Sequence, residues 1–163
     1  MSIRETLATS PHFQDLDADE LDLLDRVMVE RKWPGGHVFL REGDRAASLT
    51  AAMYVILEGE VLVSTGKGTE LGRLGPGDLF GHMSLLDHGP RGAACTSVGR
   101  TRTAELTRAT FDELQRSHTA VAARWKLLVA GQLARDLRML TGLVRSAAAG
   151  DSGPLRRRLG LAS

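Results

Sequence analysis

Hydrophobic positions change their rhythm twice along this chain. Between Phe13 and Trp33, Leu21, Leu24, Val27 and Met28 recur near a 3.6-residue period, with acidic and basic residues between them. Asp17 stands where an N-cap belongs, and Asp19 and Glu20 follow in a first turn that favours negative charge. This stretch predicts an amphipathic packing helix over residues 14–32. From 35 to 109 the apolar runs shorten and glycine separates them. They are His37 to Leu40, Met53 to Leu57, Glu60 to Ser64, Leu71 to Leu74, Ala93 to Val98 and Arg102 to Leu106. Short strands with glycine turns at near-regular spacing predict an antiparallel β-roll, a jelly roll or double-stranded β-helix. Leu57 to Glu60 and Ser64 to Thr69 read as two of its turns.

Helical texture returns after residue 109. Thr110 can cap Phe111-Asp112-Glu113-Leu114, with Glu113 in the capping-box position. An alanine- and leucine-rich stretch then runs to Ala148. Within it Ala130, Leu133, Leu137, Leu140 and Val144 alternate spacings of three and four, a narrow seam suited to a second copy of the same helix. Val121, Trp125 and Leu128 form another stripe, suited to the roll. The fold expected is mainly β with flanking helices: one domain over 1–148 (helix 14–32, β-roll 35–109, helices 110–148). A flexible tail over 149–163 carries the short basic run Arg156 to Arg158 in a solvated segment.

Composition narrows the classes. The 163 residues are 42% hydrophobic and 25% charged, which fits one domain with an ordinary core. With 21 basic and 20 acidic residues, no overall field draws nucleic acid. No apolar run approaches the ~20 residues that span a bilayer, and MSIRETLATS lacks the apolar stretch of a signal peptide. Cys95 is the single cysteine, which excludes an internal disulfide and a cysteine-clustered metal site. On its small-residue strand it reads as a buried small hydrophobe. A cytoplasmic protein away from membranes is expected. No two of His12, His37, His82, His88 and His118 share a strand at ligand spacing, and no Ser-His-Asp or Cys-His pattern stands out. Neither catalysis nor a cofactor is expected; a haem would need His82 or His88.

Candidate chemistry lies in residues 74–98, LGPGDLFGHMSLLDHGPRGAACTSV. Gly75-Pro76-Gly77-Asp78 forces a turn. Phe80 to Leu86 reads as a short helical turn whose first amides favour an anion, with Gly81 permitting close approach by a ligand. Arg91 follows just before Gly92-Ala93-Ala94, which leaves room beside it. An arginine fork facing helix-start amides suits a phosphate.

The order of helix, glycine-rich roll, Phe80-Gly81-His82-Met83-Ser84-Leu85-Leu86, Pro90-Arg91-Gly92-Ala93 and long helix resembles the cyclic nucleotide-binding domain of catabolite-activator-type regulators and nucleotide-gated channels. Gly43-Asp44, Tyr54 to Val61 and Gly75 to Gly81 carry the same resemblance, which runs from about Phe13 to Leu140. It implies that Phe80 to Arg91 is a phosphate-binding cassette in which Arg91 grips the cyclic phosphate and amides near Gly81 and Met83 support it. It also implies that the long helix supplies a lid and a dimer contact. The site expected is Phe80, Gly81, His82, Met83, Ser84, Arg91, Gly92 and Ala93, lined or backed by Tyr54, Val55, Leu74, Leu79 and Leu85. Arg135 or Arg138 is in reach of the base, although both read as solvent-facing.

Two positions depart from the family. His82 stands where it has a glutamate that accepts from the ribose 2′-hydroxyl, and Gly92 stands where it often has Ser, Thr or Ala. Losing the charged acceptor costs ~1.5–3 kcal/mol, and losing a hydroxyl about 1 kcal/mol more. An otherwise micromolar affinity then moves toward millimolar. A more positive, less ribose-specific pocket suits a cyclic dinucleotide better than a cyclic mononucleotide such as cAMP or cGMP, and the two departures suit a vacant pocket equally. The function expected is a stand-alone sensor that binds such a nucleotide and signals through its C-terminal helix, as a homodimer, to a separate effector protein. The alternative is a degenerate, non-binding dimerisation or protein-interaction module. The segment after Ser146 is too short for a winged helix-turn-helix, so direct DNA binding is not expected.

Overall fold

The structure is a computed structural model that describes residues 1–45, 51–86 and 89–148. The readings made for the 149–163 tail and for His88 lie outside the described residues.

Two helices open the chain, α1 (Ile3–Thr9) and α2 (Ala18–Val27). Eight strands follow: β1 (Val29–Trp33), β2 (Val38–Leu40), β3 (Ala52–Glu58), β4 (Val61–Ser64), β5 (Glu70–Leu74), β6 (Leu79–Phe80), β7 (Ala94–Ser97) and β8 (Thr101–Thr107). A single-turn α3 (Met83–Leu86) interrupts them, and α4 (Arg108–Ser117) and α5 (Thr119–Ala148) close the described chain. The strands pair antiparallel in two sheets, ordered β1-β8-β3-β6 and β2-β7-β4-β5. This is the β-roll with flanking helices that the sequence predicts.

The core forms two clusters. Between the sheets, Tyr54, Ile56, Val61, Phe80 and Cys95 meet Phe39, Leu40 and Trp33. On the other face of the first sheet, Met53, Val55, Leu57, Leu106 and Phe111 meet the helices through Phe13, Leu24, Trp125 and Val129. β3 serves both clusters, which is why residues 52–57 are apolar without alternation and buried throughout.

Three boundaries differ from the sequence reading. Asp17 does cap α2 in a capping box with Glu20, but the helix ends at Val27 rather than 32. Residues 29–33 pair in register with Thr101 to Glu105 instead. Cross-strand partners decide this: Arg31 pairs with Glu105 at 3.1 Å, Glu30 with Arg102 at 3.0 Å, and Trp33 Nε1 donates to Thr103 Oγ1 at 2.9 Å. The cap of α4 is Thr107, whose side chain accepts from the Thr110 amide, so α4 begins two residues before Thr110. Phe80 belongs to β6, opposite Tyr54, and only Met83–Leu86 is helical. In addition, Ser2 and Glu5 form a capping box that starts α1, a helix the sequence reading does not contain.

Candidate functional site

The turn Gly75 to Asp78 delivers the chain to the site. Asp78 accepts from the Gly75 amide at 2.8 Å, and Gly77 and Ile56 amides donate to Ile56 and Asp78 carbonyls at 2.8 and 2.9 Å. After β6 the chain reverses at Gly81, where φ is +76° and an added Cβ would lie 2.7 Å from the Ala52 carbonyl oxygen. Gly81 therefore permits the close approach of strand β3. The far end of the segment is tied to the 43–45 loop: Arg91 N donates to Asp44 O at 2.9 Å, and Gly43 N to Arg91 O at 2.8 Å.

These elements border a cavity of about 830 Å³. Seven of the eight expected site residues line it: Phe80, Gly81, His82, Met83, Arg91, Gly92 and Ala93. The eighth, Ser84, lies on α3 with its side chain outside the described residues. Leu74 and Leu79 line the cavity as well. Tyr54 backs it, stacking on Phe80 at 5.1 Å, whereas Val55 and Leu85 are buried in the helix-facing core. The rest of the lining comprises Gly89 and Pro90 within the cassette, Leu40 and Val63, Leu71 to Arg73 on β5, Cys95 on β7, and Leu133 and Leu137 on α5. The resemblance sets the long helix over the site without naming these two leucines, and the seam pattern points Leu133 and Leu137 toward a second copy. Nothing in the sequence reading signals these residues of β2, β4, β5 and β7. Leu133 instead packs against the helix-facing core, while Leu137 is 66% exposed and Val144 68%. Arg138 is exposed, and the side chains of Arg135 and Leu140 lie outside the described residues.

Arg73 and Arg91 are the charged residues of the described lining, and among the described residues no Asp or Glu joins them. Arg73 is held at its edge by Glu60 at 2.6 Å and Glu70 at 2.8 Å. Arg91 is half-buried and donates through Nη1 to the Gly81 carbonyl at 3.1 Å. The sequence reading set this guanidinium against amides; here it meets a carbonyl. Burial lowers its proton affinity, and Tyr54, Cys95 and Asp44 pull the other way, yet an arginine stays charged. Two of these neighbours hold their protons: burial pushes Tyr54 up to about 12 and the Cys95 thiol up to about 11. Such a thiol is a wall, not a nucleophile. The His82 ring lines the cavity with both nitrogens withdrawn from solvent. Among the described residues no three His, Cys, Asp or Glu come together as a metal site, and no helix is long and apolar enough to cross a membrane. The arrangement can hold an anion at Arg91 and an apolar body against Leu74, Leu133 and Leu137.

Comparison with known proteins adds the following. The family model described as cyclic nucleotide-binding domain matches residues 30–118. The "Cyclic AMP receptor protein" of Thermus thermophilus is 37% identical over 128 residues, 76% of this chain and 57% of that protein. A crystal structure of the Thermus thermophilus catabolite activator protein superposes with a TM-score of 0.70 at 33% identity, covering 85% of this chain and 63% of that one. A cyclic nucleotide-binding domain from Methylobacillus flagellatus superposes with a TM-score of 0.73 at 25% identity, covering 91% and 82%. The chain spans about half the length of the curated relatives it matches. The expectation that it binds no DNA therefore finds no support in these relatives.

Proposed function

This chain belongs to the cyclic nucleotide-binding domain family, and on that footing we propose that it senses a phosphate-bearing cyclic nucleotide, with cAMP as the first ligand to test. The observation that carries the reading is Arg91: a half-buried guanidinium on the wall of an 830 Å³ cavity that α5 also borders. On binding, Arg91 exchanges the Gly81 carbonyl for phosphate oxygens, a stronger charge-assisted pair. Phe80, His82, Met83, Ser84, Gly92 and Ala93 surround the phosphate. The base lies against the apolar wall of Leu74, Leu133 and Leu137. Because Leu133 and Leu137 stand on α5, the ligand changes how that helix sits. α5 then passes the change to a second copy through its exposed face at Leu137 and Val144, and to an effector protein. Arg73 at the edge of the cavity offers a partner for a second phosphate, so cyclic dinucleotides belong in the same screen.

Two observations favour the alternative, a non-binding dimerisation or protein-interaction module. Arg91 is already engaged by Gly81, and no carboxylate among the described lining residues stands ready for a ribose hydroxyl. Calorimetric titration of the full chain with cAMP, cGMP and cyclic dinucleotides, on wild type and Arg91→Ala, separates the two. Binding that disappears without Arg91 supports the sensor. No heat from any of these ligands, with a dimer retained, supports the module.

A further inference from the structure

Behind the cavity, the linker between α1 and α2 touches two elements that the cavity uses on its other side. Ser10 Oγ donates to the Gly77 carbonyl at 2.7 Å. His12 reaches further: Nδ1 lies 2.9 Å from Gln132 Oε1 on α5, and Nε2 lies 3.4 Å from Asp78 Oδ1. The His12 side chain is only 16% exposed, while Asp78 is 40% exposed, so both contacts are part-buried. Asp78 fixes the turn that feeds β6, and Gly81, whose carbonyl holds Arg91, follows three residues later. Gln132 directly precedes Leu133, which lines the same cavity. One imidazole therefore spans the turn leading into the cassette and the helix bordering the cavity.

We infer that His12 is a positioning residue for the cavity, a two-ended brace that sets the height of α5 over the cassette. The imidazole presents two polar nitrogens on a rigid ring, and no side chain with a single polar end makes both contacts. Its place along α5 matters. Before Gln132 the helix is seated by the Phe13–Trp125 stack at 5.5 Å, by buried Val129 and by the Arg124–Glu20 ion pair at 3.1 Å. Beyond it Leu133 packs inward, but Leu137 and Val144 are exposed. The brace stands where the anchored half of the helix gives way to the exposed half. A small tilt there produces the largest displacement at the far end.

Hydrogen exchange of the full chain, read by mass spectrometry, tests the inference without assuming a ligand. The variants are His12→Ala, His12→Asn, which keeps a polar atom near the Nδ1 position, and His12→Gln, which keeps one near Nε2. In His12→Ala, peptides over 75–83 and 129–137 should exchange about fivefold faster together, the loss expected for a hydrogen bond. Peptides over α1 and 21–27 should not change. Each one-ended variant should show the same paired effect, because a brace loose at one end holds neither side. An effect confined to residues 10–16, or restoration of both segments by either one-ended variant, overturns the inference. A second arm titrates cAMP, and His12→Ala should weaken it about fivefold. That arm rests on the function proposed above: a wild-type chain that binds none of cAMP, cGMP and cyclic dinucleotides defeats that reading and leaves exchange to decide the brace.

Discussion

Replacing Arg91 by alanine separates the binding role of this side chain from any structural role. In the free protein the guanidinium makes one hydrogen bond, to the Gly81 carbonyl at 3.1 Å, and is half-buried. One such bond contributes ~0.5–1.5 kcal/mol, and relief of the desolvated charge offsets part of that. Net stability should change by no more than about 1 kcal/mol, a Tm shift of roughly 2–4 °C at this length. With a cyclic phosphate present, Arg91 instead makes charge-assisted bonds of ~1.5–3 kcal/mol each. Taking two such bonds and subtracting about 1 kcal/mol for the bond to Gly81, affinity should fall by ~2–5 kcal/mol, roughly 30- to 5,000-fold. The assay pairs calorimetric titration of cAMP with a thermal melt of the same ligand-free preparations. Affinity that drops while the melt holds supports the phosphate role. Unchanged affinity refutes it, and so does an affinity loss matched by an equal loss of stability.

Four further outcomes follow from the same structure. His82→Glu supplies a carboxylate to a cavity whose described lining has none; cAMP should bind at least about tenfold tighter, the 2′-deoxy analogue should not, and equal gains for both would contradict the ribose argument. Gly81→Ala forces a Cβ to 2.7 Å from the Ala52 carbonyl at a φ of +76°; urea unfolding should show a loss of about 2 kcal/mol or more, and a neutral result would mean that β3 and the cassette separate easily. Leu137→Asp, at a position 66% exposed, should leave the melt unchanged yet convert a dimer to monomer in sedimentation, and a persisting dimer would move the interface off α5. Burial raises the Cys95 thiol from 9.0 to about 11 and Tyr54 from 10.0 to about 12. The folded chain therefore keeps protons that the unfolded chain releases. The stability from these groups is full below about pH 9 and declines as pH rises toward 12. Cys95→Ala should remove the first part of that decline, and a urea midpoint flat from pH 8.5 to 11 in wild type would contradict it.

The parts of this molecule readable from sequence are those fixed by local chemistry. Asp17 and Glu20 form their capping box wherever the rest of the chain goes. Glycines with positive φ at 59, 68, 77 and 81 mark turns that need them. The segment from Phe80 to Ala93 stays together because its two ends are tied to β3 and to the 43–45 loop. What escaped the sequence depends on distant partners. Val29 and Trp33 stand four residues apart, a spacing that also fits the end of a helix, and only the pairing with β8 settles it. Thr107 and Thr110 are equally good caps in isolation, and the reach of β8 to residue 107 selects the first. Leu71 and Arg73 border the cavity because β5 pairs with β4, a register not visible in either strand alone. The α5 stripe was half right: Val121, Trp125 and Leu128 face the domain, but Leu133 joins them rather than the outward seam.

β1 forms one border of its sheet and pairs on a single side with β8. Such a border has free amides and carbonyls that could recruit a strand from another molecule. Here Glu30, Arg31 and Lys32 crowd it with exposed charge of both signs. A stacking neighbour would have to strip water from all three before gaining one backbone bond. That rim disfavours fusion of crowded molecules sheet to sheet along β1, the first step toward a fibril through this border.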